Sequence, residues 1–209
     1  MRSVALLGLF ALVAVGSVGA IPREKLKPAP FVSADFDGWQ GLIKEFWSVK
    51  DGALVGNTGE KGIKFNTFLA SKKNYKDFEL KFKVKLDKGV GNSGIQIRSK
   101  LVDTKQYPVA GPQADIGAGY WGSLYGERFG GMMKQAPKET QKAIKPMDFN
   151  DYSIRCVGKK VTITINGTVT VDEEFPKMPE EGIIAFQLHG GPAMTVTFKD
   201  IEFKDLSKK

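Results

Sequence analysis

From Phe78 to Leu86 the chain reads Phe-Glu-Leu-Lys-Phe-Lys-Val-Lys-Leu, with an apolar residue at every second position. Only a strand has a side-chain period of two, so this segment presents one buried face and one solvated face, the latter carrying Lys81, Lys83 and Lys85. The pattern returns in Ile95-Gln96-Ile97-Arg98 and in Gly182 to Leu188. Val161 to Ile165 runs through Asn166-Gly167 into Thr168 to Val171, and Asn-Gly between alternating segments is a strong hairpin signal. A two-residue loop sets Ile165 opposite Thr168, which leaves Ile163 and Val169 on opposite faces. Either both faces are partly covered or a bulge shifts the register. Asn166-Gly167-Thr168 also spells a glycosylation sequon, which the hairpin explains without sugar. No stretch carries a strong helical period, and Lys138 to Lys145, flanked by Pro137 and Pro146, is expected to be a surface loop with one turn of helix. Short strands separated by Gly-containing turns predict an all-β fold, a two-sheet antiparallel jelly-roll sandwich in one domain over residues 35–206.

The first twenty residues stand outside that pattern. Arg2, the apolar run Val4 to Val15 and the small residues Val18-Gly19-Ala20 before Ile21-Pro22 have the layout of a secretory signal cleaved after Ala20. The apolar stretch is short of the roughly 20 residues a membrane span needs, so no stable membrane anchor is expected and the protein is read as secreted or periplasmic. Residues 21–34, with Pro22, Pro28 and Pro30, form an extended leader. The formal charge of +8 falls to +7 without Arg2, and its lysines are scattered rather than clustered. Nucleic acid is therefore not an expected partner. The single cysteine, Cys156, cannot form an internal disulfide and lacks metal-ligand or nucleophile spacing, so it is assigned to packing.

Chemistry has to be sought on strand faces, where residues i and i+2 share a side. Gln96 pairs in this way with Arg98, Gln113 with Asp115, and Gln187 with His189, the only histidine. A plainly solvated face more often carries Lys, Glu and Thr. Three pairs of planar hydrogen-bonding groups, taken together with Tyr120, Trp121 and Tyr125, are the lining expected of a concave sugar site. The reading requires Arg98, Gln113, Asp115, Gln187 and His189 to fall within one cleft, and it fails if they are spread over opposite faces.

The same residues carry a family resemblance. Asn92-Ser93-Gly94-Ile95-Gln96-Ile97-Arg98, Gln113-Ala114-Asp115-Ile116-Gly117, Gly122-Ser123-Leu124-Tyr125-Gly126-Glu127, Asp151-Tyr152-Ser153-Ile154-Arg155 with Ile165-Asn166-Gly167, and Gly182 to Gly191 followed by Phe198-Lys199-Asp200-Ile201 resemble, in order, the motifs of the 3-keto-disaccharide hydrolase domain family. The resemblance covers about Phe36 to Leu206. It implies a concanavalin A-like jelly roll and hydrolysis of glycosides oxidised at carbon 3. The ketone acidifies the hydrogen on carbon 2, so a base can remove it, the enolate can expel the glycosidic oxygen, and water can then add. The roles so implied are Asp115 or His189 as base, Arg98 as partner of the enolate oxygen and Glu127 as leaving-group acid. Gln96, Gln113, Gln187, Tyr120, Trp121 and Tyr125 would hold the sugar. Many members of the family carry Glu where Gln113 stands, and an amide cannot take a proton. Either Asp115 has taken over that role or this chain binds carbohydrate without cleaving it.

Other chemistries find less support. Ordinary sandwich glycosidases place two carboxylates about 5 Å apart on one strand, at a Glu-x-Asp-x-x-Glu or related spacing that does not occur here. Asp172-Glu173-Glu174 and Glu180-Glu181 lie near Pro176 and Pro179 and read as solvated loops. No Gly-x-Ser-x-Gly elbow, His-Glu-x-x-His helix or phosphate loop is present, and one histidine cannot build a multi-His metal site. No cofactor is predicted, and an oxygen-ligated Ca or Mg ion is left open. The expected partner is a carbohydrate, met either by a hydrolase of 3-keto-glycosides or by a non-catalytic binding module. A surface interaction domain without a sugar site is the third reading, supported only by the scattered charge.

Overall fold

In the computed structural model, which describes residues 30–207, every alternating segment forms a strand. The expected signal peptide and most of the leader lie outside the described residues. The strands are β1 (Trp39–Gln40), β2 (Trp47–Lys50), β3 (Ala53–Asn57), β4 (Thr67–Ser71), β5 (Phe78–Leu86), β6 (Asn92–Leu101) and β7 (Val109–Gly117). They continue as β8 (Leu124–Glu127), β9 (Gly131–Lys134), β10 (Asn150–Val157), β11 (Lys160–Ile165), β12 (Thr168–Glu174), β13 (Ile183–Leu188) and β14 (Thr195–Asp205). A four-residue helix at Ile43–Phe46, too short to leave a periodic signal, and 3-10 turns at Asp87–Gly89 and Lys138–Ala143 interrupt them. The last of these is the turn of helix expected between Pro137 and Pro146. Among the described residues no helix is long and apolar enough to cross a membrane.

Two antiparallel seven-stranded sheets result, in the orders β1-β4-β13-β6-β7-β8-β9 and β12-β11-β10-β5-β14-β3-β2. β5 supplies the second sheet's inner face: Phe78, Leu80, Phe82, Val84 and Leu86 are buried, while Lys81 and Lys83 between them are exposed. Opposite lie Ile95, Ile97, Ala114, Ile116, Ile184, Phe186 and Leu188 of the first sheet. Phe186 meets Phe198 edge-on across the gap, with ring centroids 5.0 Å apart, and Phe82 stacks on Tyr152 at 5.2 Å. Cys156 is buried in this core, and burial pushes its thiol up to about 12, which removes it from nucleophilic chemistry.

The hairpin is resolved by a bulge. Ile165 pairs with Thr168 and Thr164 with Val169, but Ile163 pairs with Val171, so Thr170 is an extra residue on β12. Val171 thereby joins Ile163 in the core, while Val169 is left exposed. Asn166 and Gly167 both have positive φ, 48° and 80°, as a type I′ turn requires. The Asn166 amide nitrogen donates to Ala143 O and Asn150 Oδ1, and its oxygen accepts from Asp151 N–H, so the sequon nitrogen is committed within the fold. Asn166→Ala loses all three bonds at a residue held at positive φ. The expected cost is about 2 kcal/mol by urea denaturation, and unchanged stability would show that these bonds do not hold the hairpin.

Candidate functional site

Along the first sheet, alternate residues of β13, β6 and β7 that do not enter the core point to its opposite face. Cross-strand register sets Gln96 beside Gln113 and Ala185, Gly94 beside Asp115, and Gln113 beside Tyr125 of β8. One end of this face is closed by a second apolar cluster of Phe68, Ala70, Val109, Ile183 and Ala185. The other end opens into a recess of about 210 Å³ lined by Asn92, Gln113, Asp115, Tyr120, Tyr125, Glu127, Met132, Gln187 and His189. Seven of the ten residues singled out from the sequence therefore line one recess: Gln113, Asp115, Tyr120, Tyr125, Glu127, Gln187 and His189.

Three do not. Gln96 is wholly buried beneath the recess, its amide 2.9 Å from that of Gln113. Trp121 is in the main core, at 4% exposure, whereas its neighbour Tyr120 is 47% exposed; the turn at Gly117–Ser123 sends adjacent rings to opposite sides. Arg98 departs furthest: of the five residues expected in one cleft, the other four line the recess and Arg98 lies outside it, a structural clamp rather than the expected enolate partner. Between Gln96 and Ser99, β6 carries one residue more than either neighbouring strand, and Arg98 itself has φ +45°. That bulge breaks the two-residue period, so Arg98 does not share the face of Gln96. Its guanidinium donates to the carbonyls of Lys76, Gly158 and Pro179 and pairs with Asp77 Oδ1 at 2.9 Å. Gly182 passes so close to the bulge that a Cβ there would lie 2.3 Å from Arg98 C.

The floor of the recess is a line of buried polar groups. Gln113 Nε2 stands 2.8 Å from Asp115 Oδ1 and 3.2 Å from Gln187 Oε1. Gly94 makes room for this group: a Cβ there would fall 2.6 Å from Gln113 Cδ. Asp115 is 5% exposed. Burial pushes its carboxyl up to about 7; an N–H donated by Gln113, in the orientation just given, opposes the shift, and the charge of Glu127 adds to it. Behind it, the buried Tyr152 hydroxyl donates to Asp115 O at 3.0 Å, tying the second sheet to the site strand. His189 is exposed at the rim, its Nδ1 2.6 Å from Gly190 O. No lining residue is Lys or Arg, so hydrogen-bond donors to a ligand are amides, phenols and the imidazole. Among the described residues no three His, Cys, Asp or Glu side chains gather as a metal-holding group. Asn92 and Met132 were not singled out from the sequence. Asn92 lies two and four residues from Gly94 and Gln96, so extending the period would have found it. Met132 arrives only through pairing of β9 with Tyr125, which no local pattern encodes.

Fold and recess together define a jelly-roll sandwich of galectin-like architecture with a polar pocket on one sheet face. Residues 31–204 match the 3-keto-alpha-glucoside-1,2-lyase-like domain, and the chain belongs to that family. No curated protein sequence matches the chain. Among solved structures, a candidate glycosyl hydrolase from Parabacteroides distasonis superposes with a TM-score of 0.61 at 21% identity, covering 85% of this chain and 98% of its own. The carbohydrate-binding module CBM66 from Bacillus subtilis does so with a TM-score of 0.60 at 15% identity, covering 80% and 95%. A protein of unknown function with a galectin-like fold, also from Bacillus subtilis, gives 0.60 at 14% identity, covering 84% and 93%. At these identities the likeness is one of fold.

Two substitutions separate site from scaffold. Gly94→Ala is expected to displace the Gln113 amide and weaken ligand binding at least about tenfold while the protein stays folded. Arg98→Met leaves Asp77 and three carbonyls without their partner, at an expected cost of about 3–5 kcal/mol, yet ligand affinity of the folded fraction is unchanged. Urea denaturation with calorimetric titration measures both, and loss of affinity in folded Arg98→Met would return the arginine to the site.

Proposed function

We propose that the protein cleaves glycosides whose sugar carries a ketone at carbon 3, by elimination across carbons 1 and 2 within the recess. The observation that carries this reading is the convergence of three proton-transfer groups from separate elements, Asp115, Glu127 and His189, on one pocket lined by planar amides and phenols. Family membership supports the substrate class, and carbohydrate-directed relatives of the same fold support carbohydrate as the partner. At 210 Å³ the recess is below the roughly 300–1,000 Å³ of drug-sized sites, a size for one ring rather than an oligosaccharide.

The reaction balances without a redox partner. A base takes the carbon-2 proton, and the bonding pair passes into an enolate with the 3-ketone. As that enolate collapses, the pair becomes the carbon 1–carbon 2 double bond, and the carbon 1–oxygen pair leaves with the aglycone oxygen, which receives a proton. Addition of water across the new double bond completes a net hydrolysis. With Arg98 turned away, the enolate oxygen is met by neutral donors, for which the Asn92 amide and the Tyr120 and Tyr125 hydroxyls are placed along the wall. Asp115, pushed up to about 7, is present in both protonation states at neutral pH, which suits a group that exchanges a proton each turnover. The residue 1–20 pattern supports action outside the cytoplasm, in the periplasm or beyond.

Incubation with a chromogenic 3-keto-glucoside in deuterated water tests the proposal. Leaving-group release is expected, with solvent deuterium at carbon 2 of the hydrated product and no cleavage of the unoxidised glucoside. Asp115→Asn should lower kcat/KM by about a hundredfold or more. Saturable sugar binding with no turnover, unaffected by Asp115→Asn, would instead identify a binding module, the reading that Gln113 at an often acidic family position favours.

A further inference from the structure

Beneath the recess, the amide of Gln96 faces two main-chain carbonyls, whose role as acceptors is fixed, and two groups, the Ser99 hydroxyl and the Gln113 amide, that can adapt to it. One end lies 3.2 and 3.1 Å from the carbonyl oxygens of Gly111 and Pro112 and 2.7 Å from Ser99 Oγ; the other lies 2.9 Å from the Gln113 amide. The oxygen and nitrogen of a carboxamide are told apart by what they face. Main-chain carbonyls only accept, so the end that meets them is the NH2, and Gln96 Oε1 faces Gln113. Ser99 accommodates this, since its hydroxyl can accept from Gln96 while donating to Ile97 O at 3.0 Å.

The consequence propagates. Gln113 must then turn its NH2 to Gln96, which leaves its carbonyl oxygen at the position 2.8 Å from Asp115 Oδ1 and 3.2 Å from the Gln187 amide. Gln187 satisfies it by presenting NH2. Asp115 satisfies it only by carrying a proton. In the opposite polarity Gln113 would donate to an ionised Asp115 and Gln96 Oε1 would accept from Ser99 Oγ at 2.7 Å, but the same oxygen would lie against the carbonyl oxygens of Gly111 and Pro112 at a fully buried site, where facing acceptors repel and the Gln96 NH2 would have only Gln113 to donate to.

We propose that Gln96 is a positioning residue which, through Gln113, holds Asp115 in its protonated form, so that Asp115 is the proton donor of the recess and the base is Glu127 or His189. The role of donor rests on the elimination reading; the protonation of Asp115 does not. In the reaction, the carbon-2 proton goes to Glu127 or His189, and the Asp115 O–H turns from Gln113 Oε1 to the departing oxygen. The carboxylate left behind faces an oxygen of Gln113, which drives its reprotonation from solvent, while the base releases its proton to solvent. Burial of Asp115 acts in the same direction. The other groups facing it are Glu127 and Tyr125 from β8, His189 beyond β13 and Tyr120 from the turn after β7; from β10, Tyr152 bonds only to its main-chain oxygen.

The test is a carboxyl-carbon NMR titration of the full protein without sugar. Gln96→Met and Gln113→Met are each expected to lower the Asp115 pKa by about one unit or more, because each removes support for the neutral form. If Gln113 instead donates to a carboxylate, Gln113→Met raises that pKa and Gln96→Met raises it or leaves it unchanged, and either result overturns the proposal. Should the variants not fold, the infrared spectrum of the wild type decides. A protonated-carboxyl stretch at pH 6.5 that disappears in Asp115→Asn is expected, and its absence in the wild type would refute the assignment. With turnover established, kcat/KM should fall as pH rises through the Asp115 pKa, and that limb should move to lower pH in Gln96→Met. A limb that falls toward acid through the same pKa would make Asp115 the base and refute the donor role alone. Failure of the elimination reading would appear separately, as absence of turnover.

Discussion

Polar groups buried within a sheet must satisfy one another, and in this protein that requirement joins Gln96, Gln113, Asp115 and Gln187 into a single hydrogen-bonded unit across β13, β6 and β7. All four are at most 5% exposed, so most of their hydrogen-bonding capacity has to be met within the unit, and only Gln113, Asp115 and Gln187 present an edge to the recess. The unit has few ways to orient, and its orientation is fixed from below by the carbonyls of Gly111 and Pro112. What the recess presents to a ligand, donors or acceptors and a charged or neutral acid, follows from main-chain geometry one layer beneath it.

That geometry depends on irregularities in the sandwich. The bulge in β6 turns Arg98 away from the recess and lets its guanidinium gather the carbonyls of Lys76, Gly158 and Pro179, with Asp77 as counter-ion. Without the extra residue, strict alternation would put a cation beside Gln96 and Gln113 and reverse the electrostatics of the site. The same device acts on β12, where Thr170 restores Val171 to the core, and on β14, where one extra residue between Lys199 and Glu202 shifts the pairing with β5. Tyr152 completes the coupling by bonding from the second sheet to the main chain of Asp115. The acid at the floor is thus held from both layers.

Local pattern carried far in this chain because most of its strands are half-buried, and a half-buried strand writes its orientation as alternation. β5 and the Asn-Gly hairpin were legible for that reason, whereas β7 and β13 are buried on both faces, and the shared faces of Gln113 with Asp115 and Gln187 with His189 were legible from the alternation of polar with apolar residue types alone. Arg98 was not, since the bulge that displaces it is set by a close approach of Gly182 and by partners 21 to 81 residues away. Trp121 was misplaced because a tight turn gives adjacent aromatic rings opposite destinations, which composition around the turn does not encode. Asn92 was within reach of the period-two argument; Met132 depended on a cross-strand register that only the folded sheet supplies.

The proposed activity requires a sugar to bind in the recess, rather than in the larger hollow of about 570 Å³ on the other sheet near Phe31 and Phe203. Side-chain amide resonances report this directly, because the recess contains three carboxamides and the hollow none. Titration of labelled protein with a 3-keto-glucoside should shift the Asn92, Gln113 and Gln187 NH2 signals saturably and leave the main-chain signals of Phe31 and Phe203 in place. Shifts at Phe31 and Phe203 with the three amides unmoved would contradict it.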